Sequence, residues 1–175
     1  KILNDARPPD DDSLIPKLFG RPKDPGSEGR YGRFDQPMVM TDEEGRPLFG
    51  LIELKTHTGS FCARNAQGHL WCWGRLPTST GPHASRINIG DPVAQIAMGA
   101  TKACVRTHGA GLVFCWGVDA NRGWVAEREP THIQGTIGAN YLGMGNEYGC
   151  FLTAEGVGCW GYSAFKELPA QIGDR

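Results

Sequence analysis

The triplet Cys-Trp-Gly occurs three times, at Cys72-Trp73-Gly74, Cys115-Trp116-Gly117 and Cys159-Trp160-Gly161. The copies lie 43 and 44 residues apart, and each follows a second cysteine: Cys62, Cys104 and Cys150. Three copies of so rare a triplet at a fixed spacing make a structural repeat. A period of this size signals a propeller or a solenoid, in which each unit buries its apolar surface against its neighbours.

The segments between these landmarks align. Gly59-Ser60-Phe61-Cys62 leads to Leu70-Trp71-Cys72-Trp73-Gly74, Thr101-Lys102-Ala103-Cys104 to Val113-Phe114-Cys115-Trp116-Gly117, and Glu147-Tyr148-Gly149-Cys150 to Val157-Gly158-Cys159-Trp160-Gly161. The alternating stretches Val93 to Gly99 and Tyr141 to Gly145 place a further strand ahead of the second and third copies. A unit is then strand, turn, strand, tight turn at glycine, strand ending in Cys-Trp-Gly, long loop. The 25 glycines punctuate apolar segments, and no long stretch keeps helical apolar spacing, so the body is expected to be all-β. Met38 to Gly50 has the same strand–turn–strand rhythm without cysteines, with Phe49 in place of tryptophan. The expected architecture is a partial β-propeller over residues 38–165, with three clear blades and one degenerate one. Residues 166–175 form a tail or, through Leu168 to Gly173, the start of another blade.

Residues 1–37 differ. Seven of the twelve prolines fall in the first 50 positions, and Arg7-Pro8-Pro9-Asp10-Asp11-Asp12 suits neither a helix nor an inner strand. Two readings stand side by side: a disordered leader, or an extended arm lying on a neighbouring surface through Leu14, Ile15, Leu18 and Phe19. The chain starts at Lys1 rather than Met, as expected of a processed product or a fragment.

Six cysteines allow fifteen connectivities. Within each unit the two cysteines flank a glycine turn, which puts them on facing strands of a hairpin at disulfide distance. The expected pairs are Cys62 with Cys72, Cys104 with Cys115 and Cys150 with Cys159. Closing a loop of about ten residues contributes roughly 2.5–3 kcal/mol on the chain-entropy model. Zinc is the rival use, but there is no Cys-x-x-Cys and no histidine accompanies the cysteines at a repeated position. Disulfides persist in oxidising compartments, so the protein is expected outside the cytosol, in the periplasm, secreted or at the cell surface. Trp73, Trp116 and Trp160 follow the second cysteine and point to the opposite face, as core anchors between blades. Trp71 and Trp124 break the pattern and are candidate exposed contacts.

The net charge of −1 gives no basic footprint for nucleic acid, and no apolar run reaches the roughly 20 residues that span a bilayer. The five histidines recur at no common repeat position, and no nucleophile elbow, phosphate loop or helical metal motif appears. The acidic runs Asp10-Asp11-Asp12 and Asp42-Glu43-Glu44 read as solvated tail and turn, with a weak calcium contact as the functional alternative. Neither independent catalysis nor a cofactor is expected.

The units resemble the regulator of chromosome condensation repeat, particularly its secreted bacterial form, through Ile96 to Cys104 with Gly111 to Gly117, Gly145 to Cys150 with Gly156 to Gly161, and Gly59 to Cys62 with Gly68 to Gly74. That family includes a nuclear exchange factor for a small GTPase, a plant ultraviolet receptor and a secreted β-lactamase inhibitor, so the resemblance implies protein binding through the propeller face and loops. The family's continuation after Trp-Gly survives only partly, as Asp119-Ala120-Asn121-Arg122-Gly123. The expected function is an extracytoplasmic protein-binding or scaffold subunit of a larger assembly, with a second copy of the chain as one possible partner. The alternative is a non-catalytic, pocket-lining small subunit of a secreted or periplasmic enzyme complex. Partner contacts are expected in the stretches Arg75 to Asn88 and Val118 to His132, with Trp124, Arg122 and Arg128 as anchors. The resemblance implies a ring of about seven blades, and propellers generally need at least four, so the chain is not expected to close a ring alone.

Overall fold

The structure is a computed structural model that describes residues 39–78, 83–119 and 125–161. The arm over residues 1–37, with Leu14, Ile15, Leu18 and Phe19, and the tail over 166–175 lie outside the described residues. The described strands fall in one compact unit that begins at Thr41.

Three antiparallel sheets follow one another along the chain. Blade 1 comprises β1 (Leu51–His57), β2 (Ser60–Asn65), β3 (Leu70–Gly74) and β4 (Ser85–Ile87). Blade 2 comprises β5 (Val93–Met98), β6 (Lys102–Thr107), β7 (Val113–Asp119) and β8 (Val125–His132). Blade 3 comprises β9 (Tyr141–Met144), β10 (Tyr148–Leu152) and β11 (Val157–Gly161). Within each sheet the strands stand in chain order. The first strand of blade 2 packs against the first strands of both neighbours, so β1, β5 and β9 line the inside of an arc while β4 and β8 lie at its outer edge. This is a partial β-propeller.

Strand alternation gives every blade two unlike faces. One carries the disulfide, which joins directly opposed residues of the central hairpin: Cys62 to Cys72, Cys104 to Cys115 and Cys150 to Cys159. The other carries the tryptophan of the triplet. The blades stack with the disulfide face of one against the tryptophan face of the next. Cys62, Cys72, Leu70 and Ile87 of blade 1 enclose a core with Ile96, Val105 and Trp116 of blade 2. Cys104, Cys115 and Val113 of blade 2 do the same with Leu142, Phe151 and Trp160 of blade 3. Trp116 is fully buried between two blades, and Trp160 is partly buried in the second core. Trp73 is half-buried and stacks on Phe61 with ring centroids 5.6 Å apart.

The glycine of the triplet has a packing cause. At Gly74, Gly117 and Gly161 the backbone takes φ of +93°, +135° and +102°. A Cβ there would stand 2.2–2.4 Å from the carbonyl oxygen of Gly59, Thr101 or Glu147, at the turn joining the first two strands of the same blade. Only glycine lets the third strand leave the sheet so close to that turn.

Both stretches expected as loops hold a strand. The segments Arg75 to Asn88 and Val118 to His132, expected as long loops, contain the outer strands β4 and β8. β8 carries Glu127, Arg128, Glu129 and Pro130, the charge and proline that blunt an edge strand against further pairing. The segment expected as a degenerate blade forms a closed turn, with isolated bridges from Thr41 to Pro47 and from Asp42 to Ala84 beside β4. Asp42 closes it: its carboxylate accepts the Glu44 and Arg46 backbone N–H groups at 3.1 and 2.8 Å and the Arg46 Nε–H at 2.9 Å. Burial works against the Asp42 charge, but these donors outweigh it and hold the carboxyl below its ordinary value of 3.8.

Candidate protein interface

The antiparallel order places the ends of β3 and β7 and the starts of β4 and β8 at the same rim as the β1–β2, β5–β6 and β9–β10 turns. Trp124 and Arg122 lie outside the described residues. Arg128 is not on a loop, as expected, but exposed on the edge strand β8, in the register irregularity between the Gly117–Glu127 and Cys115–Thr131 pairs. Trp71 is half-buried on the tryptophan face of blade 1, with the Arg86 guanidinium over its ring at 6.0 Å and the His69 ring meeting it edge-on.

A polar clamp joins successive inner strands. In blade 1, Glu53 accepts the Ile96 N–H at 3.2 Å while also pairing with Arg64. In blade 2, Gln95 stands at the same position, donating to the Leu142 carbonyl at 2.8 Å and accepting the Leu142 N–H at 2.9 Å. Arg106 lies beside Gln95 as Arg64 lies beside Glu53, and it also reaches the Ala139 carbonyl of the next connector. Burial first, and Arg64 second, push Arg106 below the ordinary arginine value, with Glu53 opposing. A side chain on one blade therefore bonds the backbone of the next, which fixes the register between blades as well as burying apolar surface.

The two ends of the arc break these patterns. On the tryptophan face, Ile96 and Leu142 are each 1% exposed, whereas Leu54 at the equivalent place in blade 1 is 59% exposed. On the disulfide face, Leu70 and Val113 are 1% and 0% exposed, whereas the equivalent Val157 of blade 3 is 44% exposed. Tyr141 takes the clamp position of Glu53 and Gln95, and Leu152 takes that of Arg64 and Arg106. Leu152 on the central strand pairs with Tyr141 on one side and Val157 on the other, and the three, all exposed, form one apolar row across blade 3. The Cys150–Cys159 disulfide on this face is partly exposed, while Cys62, Cys72 and Cys104 are inaccessible. The hairpin glycines follow suit. A Cβ on Gly68 or Gly111 would strike the connector entering the next blade, at Val93 or Ala139, whereas one on Gly156 meets nothing within 4 Å.

Sequence reasoning passed over these end residues. The signal was present, because aligning the units puts Leu54 with Ile96 and Leu142, and Val157 with Leu70 and Val113. What a single strand does not reveal is which copy of a repeat lacks a neighbour.

No family model matches the chain, and no curated protein matches it. Solved structures match in fold. Human WBSCR16 aligns over 64% of this chain and 33% of its own, with TM-score 0.55 and 16% identity. Prp20p of Saccharomyces cerevisiae aligns over 64% and 31%, with TM-score 0.54 and 19% identity. The ectodomain of the receptor kinase CR4 from Physcomitrella patens aligns over 67% and 31%, with TM-score 0.52 and 20% identity. The chain thus spans about a third of each of these proteins. Prp20 is the yeast RCC1, so the arc has the fold of the regulator of chromosome condensation type of propeller. Among the described residues no helix is long and apolar enough to cross a membrane.

Proposed function

We propose that this chain is an extracytoplasmic protein-binding or scaffold subunit, contacting partner proteins through its propeller loops, its open end faces and the segment 1–37. The observation that carries the reading is the exposure of apolar residues at both ends of the arc, in repeat positions that are buried wherever a neighbouring blade is present. Exposed apolar surface of that kind marks an interaction site. The three disulfides support an oxidising compartment, and the Cys-Trp-Gly hairpins resemble the secreted bacterial form of the repeat. Protein binding is also what the matched yeast propeller is described as doing: Prp20 is bound to Kap60, and Prp20p has binding properties to Gsp1p and histones.

Cross-linking of the full chain in its native compartment, followed by mass spectrometry, tests the reading. The expected result is recurrent links to one heterologous protein from the β7–β8 connection around Trp124 and Arg122, and from Leu14, Ile15, Leu18 or Phe19. Trp124→Ala is expected to remove the former while leaving Tm unchanged. A large fall in Tm with unchanged cross-links would make Trp124 a core residue and remove it from the interface.

A further inference from the structure

We propose that copies of this chain assemble head to tail, the disulfide face of blade 3 in one copy receiving the tryptophan face of blade 1 in the next. The proposal rests on the protein-binding reading and names a second copy as an occupant of its end faces. Among the described residues, both blade-to-blade contacts are of one kind: disulfide face on tryptophan face, hairpin glycine on the following connector. The described blades leave one face of each kind open, at opposite ends. Leu54 and Ile52, 59% and 60% exposed, present the half that Ile96 and Leu142 bury elsewhere. Val157 presents the half that Leu70 and Val113 bury elsewhere, and Gly156 leaves open the space a connector occupies beside Gly68 and Gly111. The occupant whose surface the molecule itself supplies is therefore another copy, seated by continuing an interface already made twice.

The substitutions at the open end favour contact between chains over a further internal joint. Internal joints carry a polar clamp, Glu53 with Arg64 and Gln95 with Arg106. At the open end both members are replaced, by Tyr141 and Leu152, giving an apolar row opposite the apolar Leu54 and Ile52. Interfaces between permanently associated copies are richer in apolar surface than ordinary protein surface. A contact between unlike faces either closes into a ring or grows into a filament. Two arcs of three sheets supply six blades, against the about seven that the family resemblance implies for a ring, so two copies held by one joint leave no room for a third.

The test uses the intact chain and two variants at exposed positions, Leu54→Arg and Val157→Arg, each checked by circular dichroism. Light scattering is expected to give twice the 19.0 kDa chain mass for the wild type and one chain mass for each variant. An equimolar mixture of the two variants restores the doubled mass, because each keeps the half that the other has lost. A wild type that stays monomeric at high concentration overturns the proposal, as does a variant that keeps the doubled mass or a mixture that stays monomeric. A monomer that dimerises only after residues 1–37 are removed would identify that segment as the occupant in cis, and also overturns it. Failure on any of these counts leaves heterologous binding standing, since the cross-linking experiment reads that separately.

Discussion

Gly117 and Gly143 show how differently two glycines in one repeat protein are constrained. Gly117 has φ of +135°, and a Cβ there would stand 2.3 Å from the Thr101 carbonyl oxygen. Gly143 has no left-handed φ and nothing within 4 Å of its added Cβ. Gly117→Ala is expected to cost at least the roughly 1–3 kcal/mol of a strained backbone, and Tm to fall by about 2–4 °C for each kcal/mol. Gly143→Ala is expected to leave Tm unchanged or raise it slightly, by lowering the freedom of the unfolded chain. Thermal melts of the two variants check this, and equal effects would mean the triplet glycine is not set by the Thr101 carbonyl. The cysteines differ in the same residue-by-residue way. Pairing partners were legible from sequence, because each hairpin holds two cysteines around a glycine turn. Their unequal exposure was not, because it depends on which blade has a neighbour. In the lone chain, at concentrations too low for copies to pair, stepwise reduction with alkylation mapping is expected to open Cys150–Cys159 first, with Cys62–Cys72 and Cys104–Cys115 resisting until the blades separate. Simultaneous loss of all three would contradict the burial pattern.

Among the elements, the central hairpins were legible because alternation, turn glycines and cysteines all mark them. The outer strands were not. β4 has only three residues, and β8 is built of the charged and proline-containing sequence Val125–His132 that an edge tolerates and an apolar-periodicity reading takes for a loop. The inner strand β1 was obscured by a register shift between Leu51 and Glu53, which breaks simple alternation, and by Ile52 and Leu54 facing outward. The Thr41–Pro47 turn, within the degenerate copy from Met38 to Gly50, is closed by Asp42. Because the folded Asp42 carboxyl lies below its ordinary 3.8, the stabilisation it gives the turn is complete above that pH. It is lost as the pH falls through the folded value. The Arg46 amide resonance is therefore expected to titrate with a midpoint below 3.8, and Asp42→Asn to abolish that titration. A midpoint at or above 3.8 would mean that the hydrogen bonds to Asp42 do not outweigh its burial.

At the scale of the whole molecule, a stack of blades distributes stability over its joints, so equivalent residues differ in worth according to the neighbours they have. Leu54 and Leu142 make the comparison cleanly, being the same residue at the same repeat position, 59% and 1% exposed. Leu142→Ala empties a packed joint between blades 2 and 3 and is expected to cost about 2–5 kcal/mol at any protein concentration. In a lone chain Leu54→Ala is a surface change, worth about 0.5 kcal/mol or less. If the ends of the arc meet between copies, Leu54 becomes a joint residue too, and the dimer's stability rises with concentration by mass action. Denaturant unfolding at two concentrations, a hundredfold apart, separates the cases. The expected result is that Leu54→Ala falls below the wild type chiefly at the higher concentration, while the deficit of Leu142→Ala is present at both. A small Leu54→Ala effect independent of concentration would mean that the open tryptophan face of blade 1 is solvent surface, and that the arc is stable with that end uncovered.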